Sequence, residues 1–155
     1  MESVLFVCLG NICRSPIAEG VFRRMMDEKG MSGAIRIDSA GTSGFHQGAL
    51  PDSRSMEVCK AHGLDISGQR SRRVVDADFT RFDLIVAMDR SNEADLKARA
   101  GEGSSARIVR LLEYSPDGPA DVPDPYYGGD QGFEQVYGLV TDALGELYEA
   151  HDWSA

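Results

Sequence analysis

Cys8, Arg14 and Ser15 stand close together in the run Val4-Leu5-Phe6-Val7-Cys8-Leu9-Gly10-Asn11-Ile12-Cys13-Arg14-Ser15-Pro16. A cysteine thiolate is a nucleophile, and it is favoured by a helix N-terminus, by loop amides and by a nearby guanidinium. A guanidinium grips two oxygens of a tetrahedral oxyanion at once, which an ammonium cannot do. The residues between the two side chains suit a tight loop whose backbone N–H groups converge on an anion. The expected phosphate-binding set is therefore Leu9, Gly10, Asn11, Ile12, Cys13 and Arg14. Phosphoryl transfer needs mostly positioning and charge stabilisation, and such a loop supplies both. The Ser15 hydroxyl can donate to the Cys8 sulfur and ease its departure from a phosphocysteine.

A second reactive group stands far downstream. Asp124 precedes Pro125, and a following proline biases a residue toward extended backbone. A carboxylic acid held that way can protonate a leaving group and then take a proton from the attacking water. Tyr126 and Tyr127 sit between proline and glycines, off any apolar period, and read as exposed rings that flank an aryl group. Cys13 lies close enough in sequence to Cys8 for a reversible disulfide, provided the loop shifts to bonding geometry. Cys59, beside Val58, reads as inert core.

The elements that must hold these groups are legible. Val4 to Val7 form an apolar, β-prone run that predicts a strand buried on both faces. Ser15 is expected as the N-cap and Pro16 as the first residue of the next helix. Further strands are expected near 34–39, 83–88 and 107–112, after a first near 3–7. Helices are expected near 16–29, 52–62, 92–100 and 131–150, the last carrying Phe133, Val136, Tyr137, Val140, Leu144 and Leu147 at helical spacing. Alternating strands and helices imply one α/β domain over residues 1–155, a three-layer sandwich of flavodoxin-like or Rossmann-like kind. Its four-stranded parallel sheet would be covered by helices on both faces. Ligands in such folds sit at the carboxyl ends of strands, and the Cys8 loop follows the first strand.

Composition narrows the function classes. A net charge of −9 argues against nucleic-acid binding. The N-terminal apolar run is far too short for a signal peptide or a membrane span. Three cysteines do not suggest a secreted disulfide framework, so a cytoplasmic protein is expected. His46, His62 and His151 are scattered and no CxxC occurs, so no metal site and no cofactor are expected. The basic run Arg70-Ser71-Arg72-Arg73 reads as a solvated turn, with a contact for an acidic peptide or polymer substrate as the alternative.

The run V-C-L-G-N-I-C-R-S-P resembles the signature of the low-molecular-weight protein tyrosine phosphatases. Asp124-Pro125-Tyr126-Tyr127 is similar to that family's general-acid loop, and the spacing and chain length agree, so the resemblance spans essentially the whole chain. It implies Cys8 as nucleophile, Arg14 as phosphate binder, Asp124 as general acid and base, and no cofactor. It implies a substrate cleft of Leu9, Ile12, Phe45, Tyr126 and Tyr127, and a redox role in which Cys13 traps oxidised Cys8 as a disulfide. In the family a serine and a histidine help the loop asparagine, here Asn11. Ser43 aligns better than Ser39 for the serine. Gln69 stands about where many relatives place the histidine; it can bond the loop but cannot carry charge. The implied partners are inorganic phosphate or another oxyanion in the loop and a tyrosine-phosphorylated protein, by family analogy a bacterial tyrosine kinase. A monomer is expected, with weak self-association through the tyrosine loop left open.

Three other readings compete. An arsenate reductase on the same scaffold passes electrons through a downstream cysteine pair, and residues 60–155 contain no cysteine. Protein-arginine phosphatases resemble this chain but place threonine where Ile12 stands; an apolar β-branched residue suits an aryl ring. A non-catalytic phosphate-binding module would need neither nucleophile nor acid.

Overall fold

The apolar run that opens the chain becomes an inner strand of the sheet. In the computed structural model, which describes residues 1–126, 128 and 130–153, β1 (Ser3–Cys8) is buried along its whole length. It pairs in parallel with β2 (Arg36–Gly41) on one edge and β3 (Leu84–Ala87) on the other. β4 (Arg107–Arg110) pairs with β3, giving the order β2-β1-β3-β4. Alternate β1 side chains face opposite ways. Val4 and Phe6 join the larger core, against α1 (Arg14–Glu28), α2 (Ser53–Ala61) and α5 (Asp130–Ala150). Leu5 and Val7 join Phe79, Ile85 and Leu96 on the other face, under α3 (Asp78–Arg81) and α4 (Arg90–Ala100). With both edges paired and both faces covered, Val4 to Val7 have no place for a polar side chain, as the sequence foretold. This is the three-layer α/β arrangement expected. The strand order reverses direction between β1 and β3, which opens a crevice at the carboxyl end of β1.

Several boundaries move for physical reasons. α1 starts at Arg14 with Cys13 in the cap position and no side-chain cap bond, so Ser15 lies inside the first turn and is not the N-cap. Pro16 is still tolerated there, because first-turn N–H groups have no intrahelical acceptor. α4 starts at Arg90, where the Asp89 carboxylate accepts from the Asn92 amide at 2.7 Å. β4 stops at Arg110 because the Glu113 carboxylate accepts from its amide at 2.7 Å and turns Leu111–Tyr114 into a 3-10 helix. α3 is too short to leave a period in the sequence. The run 70–73 is not a solvated turn. Arg72 bonds Asp38 at 3.1 Å and the buried Asp78 at 3.0 Å, and its carbonyl accepts from the Gly41 amide at 2.8 Å. It is a strut along the end of β2.

Phe22 packs edge-on against Phe6 (centroids 5.7 Å) and Trp153 (5.1 Å), joining sheet, α1 and the chain's end. Among the described residues no helix is long and apolar enough to cross a membrane. Emptying the Phe22 position removes contacts on both sides at once. Phe22→Ala is expected to cost about 3–5 kcal/mol of unfolding free energy, read by urea denaturation. An unchanged midpoint would show that this aromatic chain does not hold the core.

Candidate active site

β1 carries Cys8 to the crevice, and the chain must then turn back within a few residues to begin α1. Asn11 makes the turn. It has a φ of 56°, the one non-glycine with positive φ among the described residues, and asparagine tolerates that region better than most. Its side chain is bonded on every side. Nδ2 donates to Ser15 Oγ at 2.8 Å and to Ser39 Oγ at 3.0 Å, while Oδ1 accepts from the Arg72 amide at 3.0 Å. The turn points the Asn11 amide at Cys8 Sγ, 3.3 Å away. Ser15 Oγ lies 3.1 Å from the same sulfur. β2 comes so close behind that a Cβ on Gly41 would stand 2.7 Å from the Leu9 carbonyl oxygen.

Two expected supports of this loop are corrected. The serine is Ser39, not Ser43: Ser39 lies in β2 beside the loop, whereas Ser43 lies past its end. The Ser43 amide donates to the Leu9 carbonyl at 2.9 Å and its hydroxyl accepts from the Phe45 amide at 3.1 Å, so it steadies the loop rim instead. Gln69 does not bond the loop. Asn11 directs both amide hydrogens to serines, and Gln69 Nε2 donates to the Pro16 carbonyl at 3.0 Å instead. Gln69 thus braces the first turn of α1.

The direction of each hydroxyl proton follows from counting donors. Ser39 Oγ bonds Glu19 Oε1 at 2.7 Å, and an ionised carboxylate only accepts. The Ser39 proton therefore points to Glu19, and Ser39 receives a hydrogen from Asn11. The other Asn11 hydrogen goes to Ser15, whose own proton then has two acceptors, Cys8 Sγ at 3.1 Å and the Ala40 carbonyl at the longer 3.5 Å. Glu19 Oε2 also accepts from Arg23 Nε at 2.9 Å. Burial pushes the Glu19 carboxyl up, against the pull of Ser39 and Arg23. Glu19 was not legible as part of the site, because only the fold brings it under Ser39.

Arg14 is nearly fully buried and aimed by two acceptors. Nη1 donates to Asp89 Oδ2 at 2.6 Å and to the Val122 carbonyl at 3.0 Å. Burial opposes its charge, but Cys8, Asp89 and Asp124 outweigh burial and hold the guanidinium protonated. Asp89 is a site residue that the sequence motifs did not single out. One oxygen caps α4 and the other holds Arg14. The available signal was its place at the carboxyl end of β3, across the crevice from Cys8. Asp124 reaches in from the opposite wall, Oδ2 lying 3.6 Å from Arg14 Nη2. Its Oδ1 accepts from the Tyr126 amide at 3.1 Å.

Cys8, Arg14 and Asp124 line one cavity of about 280 Å³. Cys8 and Arg14 are its buried end; Phe45, 86% exposed, stands at the mouth with Leu9 and Tyr126. Ile12 and Cys13 complete the lining. His46, also missed, packs edge-on to Phe45 at 4.9 Å. A Cβ on Gly10 would come within 3.0 Å of its ring, so that close approach, not a positive φ, is what calls for glycine there. Tyr127 lies outside the described residues. Among the described residues no group of three or more His, Cys, Asp or Glu could hold a metal ion. All three cysteines are free thiols, so no Cys8–Cys13 disulfide is formed. Burial, with Asp52 and Cys8 adding to it, pushes the Cys13 thiol up to about 12; burial also pushes Cys59 to about 12.

Comparison with known proteins gives the family. Residues 3–152 match the family model described as low molecular weight phosphotyrosine protein phosphatase. The low molecular weight protein-tyrosine-phosphatase YfkJ of Bacillus subtilis is 45% identical over 148 residues, 95% of this chain and 94% of that one. The human low molecular weight phosphotyrosine protein phosphatase is 46% identical over 138 residues, 88% of this chain and 87% of that one. A protein tyrosine phosphatase from Entamoeba histolytica, solved with Hepes in its active site, superposes with a TM-score of 0.89 at 40% identity. That match covers 95% of this chain and 94% of the other. The chain belongs to the low-molecular-weight protein tyrosine phosphatase family, whose members are hydrolases.

The thiol environments make a direct prediction. At neutral pH iodoacetate should alkylate Cys8, which takes a hydrogen bond from the Asn11 amide and opens on the cavity, and spare Cys13 and Cys59, whose thiols are pushed up to about 12 and stay protonated. Glu19→Gln, which unsettles the proton order leading to Ser15, should slow that alkylation several-fold. Peptide mapping reads both. Early modification of Cys13 or Cys59, or an unaltered rate in the variant, would contradict the arrangement.

Proposed function

We propose that the protein hydrolyses phosphotyrosine in proteins through a phosphocysteine on Cys8. The observation that carries this reading is the convergence on one sulfur and one cavity. The Asn11 amide and Ser15 hydroxyl aim at Cys8, with the buried Arg14 on one side and the Asp124 carboxyl across from it. In the first step the Cys8 thiolate attacks phosphorus in line, and the P–O bond to the tyrosine ring breaks. Arg14 and the loop amides hold the equatorial oxygens, and Asp124 gives its proton to the leaving phenolate. In the second step Asp124 takes a proton from water, the water oxygen attacks phosphorus, and Cys8 leaves as a thiolate. The Ser15 hydrogen bond stabilises that sulfur charge. Products are tyrosine and inorganic phosphate.

The apolar walls fit an aryl group. Ile12, Leu9, Phe45 and Tyr126 present mostly carbon, and the Asp124 carboxylate in the same lining faces Arg14; this apolar wall favours an aryl group and so phosphotyrosine over phosphoarginine. A tyrosine-phosphorylated protein, such as an autophosphorylated bacterial tyrosine kinase, is the substrate class this reading supports. Cys13 is the matching redox partner. A sulfenic acid on Cys8 would condense with the Cys13 thiol to a disulfide and water, once the loop brings the two sulfurs together.

The test is initial-rate hydrolysis of phosphotyrosine and phosphoarginine peptides without added metal. A strong preference for phosphotyrosine is expected, lost in Cys8→Ser. Asp124→Ala should cut turnover about 10²–10⁴-fold while phosphate still inhibits. Preference for phosphoarginine would overturn the substrate reading, and an active Cys8→Ser would overturn the mechanism.

A further inference from the structure

Arg54, in the first turn of α2, reaches both loops of the cavity without lining it. Its guanidinium grips Asp52 with two bonds, Nε to Oδ1 and Nη2 to Oδ2, each 3.0 Å. The Asp52 amide in turn donates to the Ile12 carbonyl at 2.7 Å, inside the phosphate loop. On its far side Arg54 donates to the Tyr126 carbonyl at 3.0 Å and to the Gly128 carbonyl at 3.1 Å. Its plane lies over the rings of Phe133 (4.6 Å) and Tyr126 (5.7 Å). A bonded path thus runs from Ile12 through Asp52 and Arg54 to Tyr126. The Tyr126 amide is the group that bonds the Asp124 carboxylate.

A bidentate arginine–carboxylate pair fixes orientation as well as distance, which a lysine pair cannot do. Proton transfer to a leaving oxygen is sensitive to such distances, since small misplacements of a reacting group cost rate steeply. We propose that Arg54 is a positioning residue for proton transfer. It sets the acid loop against the phosphate loop, so that Asp124 meets the leaving oxygen of a phosphoryl group seated over Cys8. The inference rests on Asp124 as the general acid. It adds that the acid's reach is set from α2, through carbonyls and not through the carboxylate itself.

Leaving-group dependence separates this role from a merely structural one. A misplaced acid matters most when the leaving phenolate is strongly basic. Arg54→Met keeps the aliphatic stem over Phe133 and removes the fork; Arg54→Lys keeps the charge but not the bidentate grip. In both, kcat/KM for phenyl phosphate should fall at least about tenfold more than for p-nitrophenyl phosphate. Inhibition by inorganic phosphate and the circular dichroism spectrum should stay unchanged. In an Asp124→Ala background, Arg54→Met should add little further loss on phenyl phosphate. Equal losses on both substrates, weakened phosphate inhibition, or a protein that unfolds in both variants would assign Arg54 to the scaffold and overturn the proposal. If Asp124→Ala itself shows no leaving-group dependence, the reading of Asp124 as acid falls instead.

Discussion

The left-handed turn at Asn11 is the constraint on which the rest depends. A residue with a Cβ in that conformation costs about 1–2 kcal/mol. Each of three side-chain hydrogen bonds offsets about 1 kcal/mol, and leaving their buried partners unsatisfied would cost more. The turn therefore persists only because Ser15, Ser39 and Arg72 surround the asparagine. Those partners come from α1, β2 and the 70–73 strut. The strut is in turn pinned by Asp38 and Asp78. Sheet, helix and loop meet in a single amide, and the result is that the Asn11 backbone N–H is turned toward Cys8. The close approach of Gly41 belongs to the same construction, since it lets β2 lie directly behind the loop.

Charge is organised locally and against the bulk. The chain carries a net −9, yet its reactive end is built around a buried arginine. Two carboxylates frame Arg14 with different tasks. Asp89 is close and fixed, spending one oxygen on a helix cap and one on the guanidinium. Asp124 is farther away and more exposed, with room to exchange a proton. A preorganised cation of this kind costs no reorganisation when an oxyanion arrives, which is where electrostatic catalysis gains most.

Much of this was legible in the chain, and the remainder was hidden for identifiable reasons. The apolar period of Val4 to Val7 gave away β1, and the heptad-like stripe of 133–147 gave away α5, because burial on a regular element leaves a regular pattern. Cys8, Arg14 and Ser15 were readable because a tight loop brings neighbours in sequence together in space. Ser39, Glu19, Asp89 and Arg54 were not, since each reaches the site across a tertiary contact that no local period encodes. Ser43 was preferred to Ser39 on alignment, and only strand register decides between them: Ser39 pairs with Phe6, two residues before Cys8, whereas Ser43 falls beyond the strand. Gln69 was assigned to the loop for the same reason, and its amide donates to the Pro16 carbonyl of α1 instead. Ser15 was read as a cap because serine favours that position. The sulfur beside it claims the hydroxyl instead.

The most direct measurement is acid quenching of the protein during turnover of a phosphotyrosine peptide, followed by peptide mapping of the covalent adduct. A phosphoryl group on the peptide containing Cys8, absent when that cysteine is replaced by serine, is the predicted result. Sustained turnover with no covalent phosphoenzyme, or a phosphoryl group on another residue, would contradict nucleophilic attack by Cys8.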